Sequence, residues 1–241
     1  MGDGMANEKF RQDRKLWYRG IKRFLRIKYR RPRFIFLGDK PKKESIILSN
    51  HVGSYAPISL EIYANFPIRL WGTHEMNSGL KKLYQYQTRV YFHQKKGWNI
   101  HLARLVCLII SPLTNLFYKG LRLISTYEDH RLRNTLKKSV EIIENNENIV
   151  IFPENSSNGY HEILTEFHRG FTSLAKSCLK KGIDLLIYVS YLRRKERVYL
   201  FDKPIPFSEL KKIASTKEEM ANYLLNRCND LGKLDLKTME Y

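Results

Sequence analysis

The sequence predicts an α/β fold in which a central, mostly parallel sheet is flanked by helices, with a basic amphipathic helix leading into it. Three observations carry that expectation. Short apolar runs alternate with segments of helical period along the chain. Two of these runs, residues 45–49 and 148–152, are apolar at most positions, the pattern of strands covered on both faces. Both then break into polar residues, at Asn50-His51 and at Pro153-Glu154-Asn155. The carboxyl ends of strands are where open α/β sheets place their ligands. A chain of 241 residues, 43% of them hydrophobic, can bury a substantial core in one domain.

Residues 9–33 are dense in Lys and Arg, with Trp17, Ile21, Phe24 and Leu25 interleaved at helical spacing. Such a helix suits a membrane surface: its cations reach phosphate headgroups while its aromatic face enters the acyl boundary. Each cation near an anionic leaflet adds about 1 kcal/mol. The alternative is a helix packed on the domain with its charges solvated. After Pro32 the pattern changes to a short strand and turn over residues 33–38, then the strand 45–49. Residues 1–33 therefore read as a helical extension and 34–241 as the α/β domain.

A helix follows from about Pro57 through Tyr63, then a strand over 68–72. Residues 78–118, rich in Tyr, Lys and Leu, read as mostly helical and exceed a simple crossover, as a lid or a lipid-facing subregion would. Their most apolar run, 105–117, is interrupted by Pro112 and Asn115 and flanked by Arg104 and Lys119. It is short for a bilayer span and is expected to be a buried or interfacial helix. Strands at 121–125, 148–152 and 184–191 and helices at 131–145, 172–179 and 217–231 complete the pattern. No internal repeat or low-complexity linker interrupts it.

The formal charge of +19 calls for an anionic counterpart: a lipid surface, an acidic carrier or a nucleic acid. No nucleic-acid motif accompanies the charge, which makes that partner the least supported. Cys107, Cys178 and Cys228 are widely spaced and show no metal-ligand spacing, so they read as reduced structural thiols. The N-terminus runs directly into charged residues without a secretory signal, and a cytoplasmic location is expected, peripheral at the inner face of the membrane.

Among seven histidines His51 stands apart. It follows an apolar strand, is preceded by Asn50, and leads through Gly53-Ser54 toward a helix N-terminus, whose free N–H groups favour negative charge. A histidine so placed can take a proton from an attacking alcohol. A turn histidine that only hydrogen-bonds locally is the plainer alternative. At the second strand end Glu154 can orient a hydroxyl or the histidine, while Asn155, Ser156 and Ser157 offer polar donors after the rigid Pro153. No convincing covalent nucleophile is visible: Ser54 lies near His51 but lacks the nucleophile-elbow pattern.

These segments resemble the motifs of the glycerolipid acyltransferases, the family that includes lysophosphatidic acid acyltransferase. Asn50-His51 through Ala56 is similar to the family's Asn-His-x4-Asp, with Ala56 where the acid stands. Phe152-Pro153-Glu154-Asn155-Ser156 resembles Phe-Pro-Glu-Gly-(Ser or Thr), with Asn155 for the glycine. Between them, residues 120–126 resemble Gly-x-x-Phe-Ile-x-Arg, with Thr126 for the arginine. Residues 167–175 resemble Lys-x-Gly-(Ala or Phe)-x-x-Leu-Ala, and 182–189 stand in for the Gly-Val-Pro-Ile-Val-Pro-Val strand. The four blocks occur in the family's order across about residues 34 to 205.

The resemblance implies a glycerol-3-phosphate acyltransferase-like fold. It also implies transfer of a fatty acyl group from acyl-CoA or acyl-carrier protein to a hydroxyl of a lysophospholipid, with no metal and no cofactor. It casts His51 and Glu154 as catalytic, and Asn50, Ser54, Arg122, Pro153, Asn155, Ser156, Ser157 and Arg169 as substrate-binding. In the family the missing aspartate orients the imidazole and stabilises its protonated form, which Ala56 cannot do. Three explanations are open: another carboxylate among Glu61, Glu75 and Glu154 replaces it, the residue is a deliberate substitution, or the activity is altered or lost; a divergent natural branch is favoured. Arg122, Arg131 and Arg133 are the candidates to replace the missing phosphate-binding arginine.

Overall fold

The computed structural model describes residues 16–155 and 159–236. Its first half runs α1 (Leu16–Lys28), β1 (Arg33–Phe36), β2 (Ser45–Ser49), α2 (Tyr55–Tyr63) and β3 (Ile68–Thr73). A 3-10 turn (His74–Asn77), α3 (Leu80–Gln85), a π-helix (Tyr86–Gln94) and the long α4 (Ile100–Leu121) follow. The second half runs β4 (Ile124–Thr126), α5 (Leu132–Glu144), β5 (Asn148–Ile151), α6 (Gly170–Leu179), β6 (Leu186–Arg193), β7 (Val198–Phe201), β8 (Ile205–Pro206), α7 (Phe207–Ile213) and α8 (Lys217–Lys233).

The strands form one sheet in the order β1-β7-β6-β2-β5-β3-β4, with β8 paired to β6. From β6 to β4 every pairing is parallel. β7 and β8 run antiparallel to β6, and β1 follows β7. The sheet is thus mixed but mostly parallel, as expected. The β6–β7 hairpin was not foreseen, because the charged Arg193–Arg197 segment hides the short apolar run behind it.

The two near-continuous apolar runs take the centre because helices cover both faces there. Ile46 and Leu48 of β2 point into a core shared with α5, α6, α7 and α8, while Ile47 points into a second core with Tyr18, Leu60 and Phe117. β2 is buried at all five positions and β5 at all four. The final helix is started by a capping box in which Thr216 and Glu219 satisfy each other's backbone N–H groups.

α1 is part of this packing. Tyr18 has no exposed surface, its ring lies on Phe117 at 5.7 Å, and its hydroxyl donates to Glu61 at 3.0 Å. Lys22 reaches the same carboxylate at 3.2 Å and the Glu61 carbonyl at 2.6 Å. The single apolar face expected for the helix therefore divides. Ile21 and Leu25 turn inward with Tyr18, while Phe24 and Ile27 stay more than 70% exposed. Residues 1–15 of the basic segment lie outside the described residues.

α4 corrects the expectation of an interrupted helix. It runs unbroken through Pro112 for 22 residues, and by length and composition it could cross a membrane. Its inward polar groups hold it in place. Ser111 donates to Gln87 at 2.7 Å, Gln87 donates to Thr114 at 2.8 Å, and Thr114 also bonds the Ile110 and Ser111 carbonyls in the turn around the proline. Residue 121, expected to open a strand, is the last of this helix, and Arg122 ends it in the left-handed conformation. The three cysteines are free and buried.

Candidate active site

β2 and β5 lie side by side with Leu48 level with Ile151, so the residues that leave their carboxyl ends meet above the sheet. Asn50 is only 2% exposed, and its amide is clamped to β6. It donates to the Leu192 carbonyl at 3.1 Å and accepts the Leu192 N–H at 2.7 Å, as a further strand residue would. That side chain fixes where the chain leaves β2 and stands behind the site, a positioning role in place of the expected substrate contact. Ser49 adds a 2.5 Å bond to the Tyr199 hydroxyl.

After His51 the backbone turns through two left-handed residues, Val52 at φ 44° and Gly53 at φ 63°. Glycine adopts that region freely, but a β-branched residue there costs on the order of 1–3 kcal/mol. The turn sends the Gly53 carbonyl back onto Nδ1 of His51. A carbonyl only accepts, so Nδ1 carries the proton and Nε2 keeps the lone pair. The tautomer-setting job of the missing acid is thus done by the backbone.

The carboxylate that does reach His51 is Glu154. It is buried, and its Oε2 accepts the His51 backbone N–H at 3.1 Å; it holds the residue, not the ring. The other oxygen faces the His161 N–H at 3.5 Å. Burial raises the Glu154 pKa, opposed by the His51 and His161 N–H groups and by the charge of Lys95. The two other carboxylates considered go elsewhere: Glu61 holds Tyr18 and Lys22, and Glu75 pairs with Thr73 and His74. Ala56 is fully buried at the start of α2, against the core that contains Leu60 and Ile47.

The imidazole stacks on Tyr160, with ring centroids 4.9 Å apart, and rests against Phe152 at 5.0 Å. Burial pushes its pKa from 6.5 to about 4; the Gly53 carbonyl works against this and the Lys95 charge adds to it. His51 is therefore neutral at pH 7. Lys95 and Lys96 lie over the other partner of the stack, at 5.8 and 5.9 Å from the Tyr160 ring. Burial lowers the Lys95 pKa in turn, opposed by Glu154. Lys95 and Tyr160 were not anticipated: they belong to no motif, and only the path of the chain across the sheet edge brings them to His51.

Ser54 is exposed and lies 3.1 Å from the Tyr29 hydroxyl. Pro153 accepts the His168 N–H at 2.7 Å, and Asn155 donates to the Glu166 carboxylate at 2.7 Å, so the turn after β5 is pinned to residues 166–168. The Asn155 side chain is thus engaged by that segment. Ser156 and Ser157 lie outside the described residues. The predicted substrate-binding arginines are placed on other elements. Arg122 stands on the approach to β4, ahead of the strand, whereas Thr126 occupies its carboxyl end. Arg169 precedes α6 and forms an exposed 3.3 Å ion pair with Glu218. Arg131 is held by Asp129 and lies over Tyr127. Beside the end of β3, an open cleft of about 320 Å³ is lined by His74, Glu75, Lys82, Gln85, Tyr86 and Arg89.

No protein-family model and no curated protein matches the sequence. The structure does have a solved counterpart, the 1-acyl-sn-glycerophosphate (LPA) acyltransferase PlsC from Thermotoga maritima, with a TM-score of 0.52 over 93% of this chain and 81% of that one. The chain shares the fold of an acyltransferase. Sequence identity is 13%, so the likeness is one of fold.

Proposed function

We propose that the protein is an O-acyltransferase acting at the cytoplasmic face of the membrane, moving a fatty acyl group from acyl-CoA or acyl-carrier protein to a hydroxyl of a lysophospholipid. The observation that carries this reading is His51, held neutral with Nε2 as its acceptor nitrogen at the carboxyl end of a central strand in an acyltransferase fold. The acceptor oxygen attacks the thioester carbonyl carbon as its proton passes to Nε2. The C–S bond then breaks, the thiolate takes that proton back, and an ester and a free thiol result. The basic surface favours both an anionic leaflet and an acidic carrier. The test is thiol release from palmitoyl-CoA across a panel of lysophospholipids. Release that requires an acceptor supports the reading, and release without one points to simple hydrolysis.

A base with a pKa of about 4 gives this reaction an unusual pH profile. The neutral form persists well below the ordinary histidine value, so kcat/KM should stay level from neutral pH to about pH 5 and fall as pH drops through about 4. A limb near 6.5 would show that the ring is not held as described. Stability follows the same sign. The unfolded chain takes up a proton at His51 that the folded chain refuses, so this contribution is complete above 6.5 and is lost as pH falls toward about 4.

A second reading, a lipid-binding protein that has kept the fold and lost turnover, is favoured by one observation: the group that faces Nδ1 is the neutral Gly53 carbonyl, not a carboxylate that would stabilise an imidazolium. Ala56→Asp separates the two. If the Gly53 carbonyl suffices, the parent is active and the added acid raises its rate by about tenfold. A silent parent with an active Ala56→Asp protein would establish the second reading. The substitution places a carboxylate at a fully buried position, so a thermal melt must accompany the assay.

A further inference from the structure

A surface helix in water turns its polar side outward. α4 is apolar on both sides. Leu102, Leu105, Leu108, Ile109, Leu113 and Leu116 are 44–70% exposed, while Ala103, Cys107, Ser111, Phe117 and Leu121 face inward. At 1.5 Å per residue this apolar row extends about 21 Å along the surface. An exposed apolar patch of that length marks an interaction site.

The charge around it selects the partner. From Leu80 to Leu121 the chain has no Asp or Glu, and its cations are Lys81, Lys82, Arg89, Lys95, Lys96, Arg104 and Lys119. α1, which packs on the end of α4 through Tyr18 and Gly120, likewise has no acid and carries Arg19, Arg23 and Arg26 exposed. A second copy of a chain with net charge +19 would bring like charges together at this rim, whereas an anionic lipid surface would neutralise them. Crossing the bilayer would require α4 to abandon the Ser111–Gln87 and Gln87–Thr114 bonds and its buried inner face, so the helix lies in the plane of the surface.

We infer that α4 is an in-plane membrane anchor, its leucine row immersed at the acyl boundary of an anionic leaflet and its flanking cations at the headgroups. This extends the membrane-surface part of the proposed function and does not depend on acyl transfer. α1, of whose sequence-based candidates Trp17 and Phe24 stay exposed, has the secondary role.

The experiment is flotation of the full chain with phosphatidylcholine vesicles containing about a third phosphatidylglycerol, comparing wild type, Leu105→Glu/Ile109→Glu, Phe24→Glu and His51→Ala. Both α4 substitutions are at exposed positions, and a thermal melt confirms the fold. The double variant should lose about a hundredfold in partitioning, Phe24→Glu markedly less, and His51→Ala nothing. Vesicles of phosphatidylcholine alone should bind wild type more weakly. Undiminished binding of the double variant overturns the proposal. So does a wild-type dimer that the double variant converts to monomer without loss of vesicle binding, because a second copy would then cover the row. Loss of vesicle binding in the α4 variant with no transfer by any protein would leave the anchor standing and the acyltransferase reading failed.

Discussion

His51→Ala is expected to lower acyl transfer by about 10³-fold while changing stability by about 1 kcal/mol or less. The size of the first effect follows from the absence of a substitute base among the described residues. Within contact of the ring lie the Gly53 carbonyl, Tyr160 and Phe152, and the nearby Lys95 is a cation. Glu154 already accepts two N–H groups and lies behind the backbone of residue 51. The size of the second follows from the same contacts, since the turn is held by Asn50 on Leu192 and by the His51 N–H on Glu154, both of which survive truncation of the ring. Acceptor-dependent thiol release and a thermal melt on the same samples make the check. Retained transfer in a folded His51→Ala protein would remove histidine catalysis from the account.

Gly120→Ala should destabilise the protein by about 3 kcal/mol. An added Cβ would stand 2.0 Å from Cδ2 of Tyr18. The ring cannot retreat cheaply: it is fully buried against Phe117, and moving it would pull its hydroxyl from Glu61, the carboxylate that also holds Lys22. The overcrowding therefore falls on the docking of α1, and tryptic cleavage at its exposed arginines should accelerate together with a drop in Tm of about 6–12 °C. Gly20 provides the control. It lies on α1 itself, with nothing within 4 Å of where a Cβ would be, so Gly20→Ala should be neutral or stabilise by about 1 kcal/mol. Equal melting of Gly120→Ala and wild type would show that α1 is not seated as described.

Helices α1 and α4 show how far local patterns carry. The periodicity of α1 is strong, and a helix was expected there, but its one apolar arc is wide enough to serve two surfaces. Only contact with Gly120, Phe117 and Glu61 determines that Tyr18, Ile21 and Leu25 turn inward. For α4 the proline argued for a break. The helix persists because tertiary bonds from Gln87, together with Thr114 on nearby carbonyls, hold the turn around Pro112.

What the sequence by itself determined is the central architecture. Strands β2 and β5 are apolar on both faces, so they must be covered twice, and their polar ends put His51 and Glu154 at a carboxyl edge. These are local properties, written in the period and termination of short segments. Which groups meet at that edge was decided by the tertiary structure alone. Asn50 finds Leu192 and His51 finds Tyr160 and Lys95 because of the order in which strands enter the sheet. The physical reason is one of range: periodicity acts over a few residues, whereas these partners are brought together by burial of the whole core, and three carboxylates equivalent in sequence become inequivalent once the chain is packed.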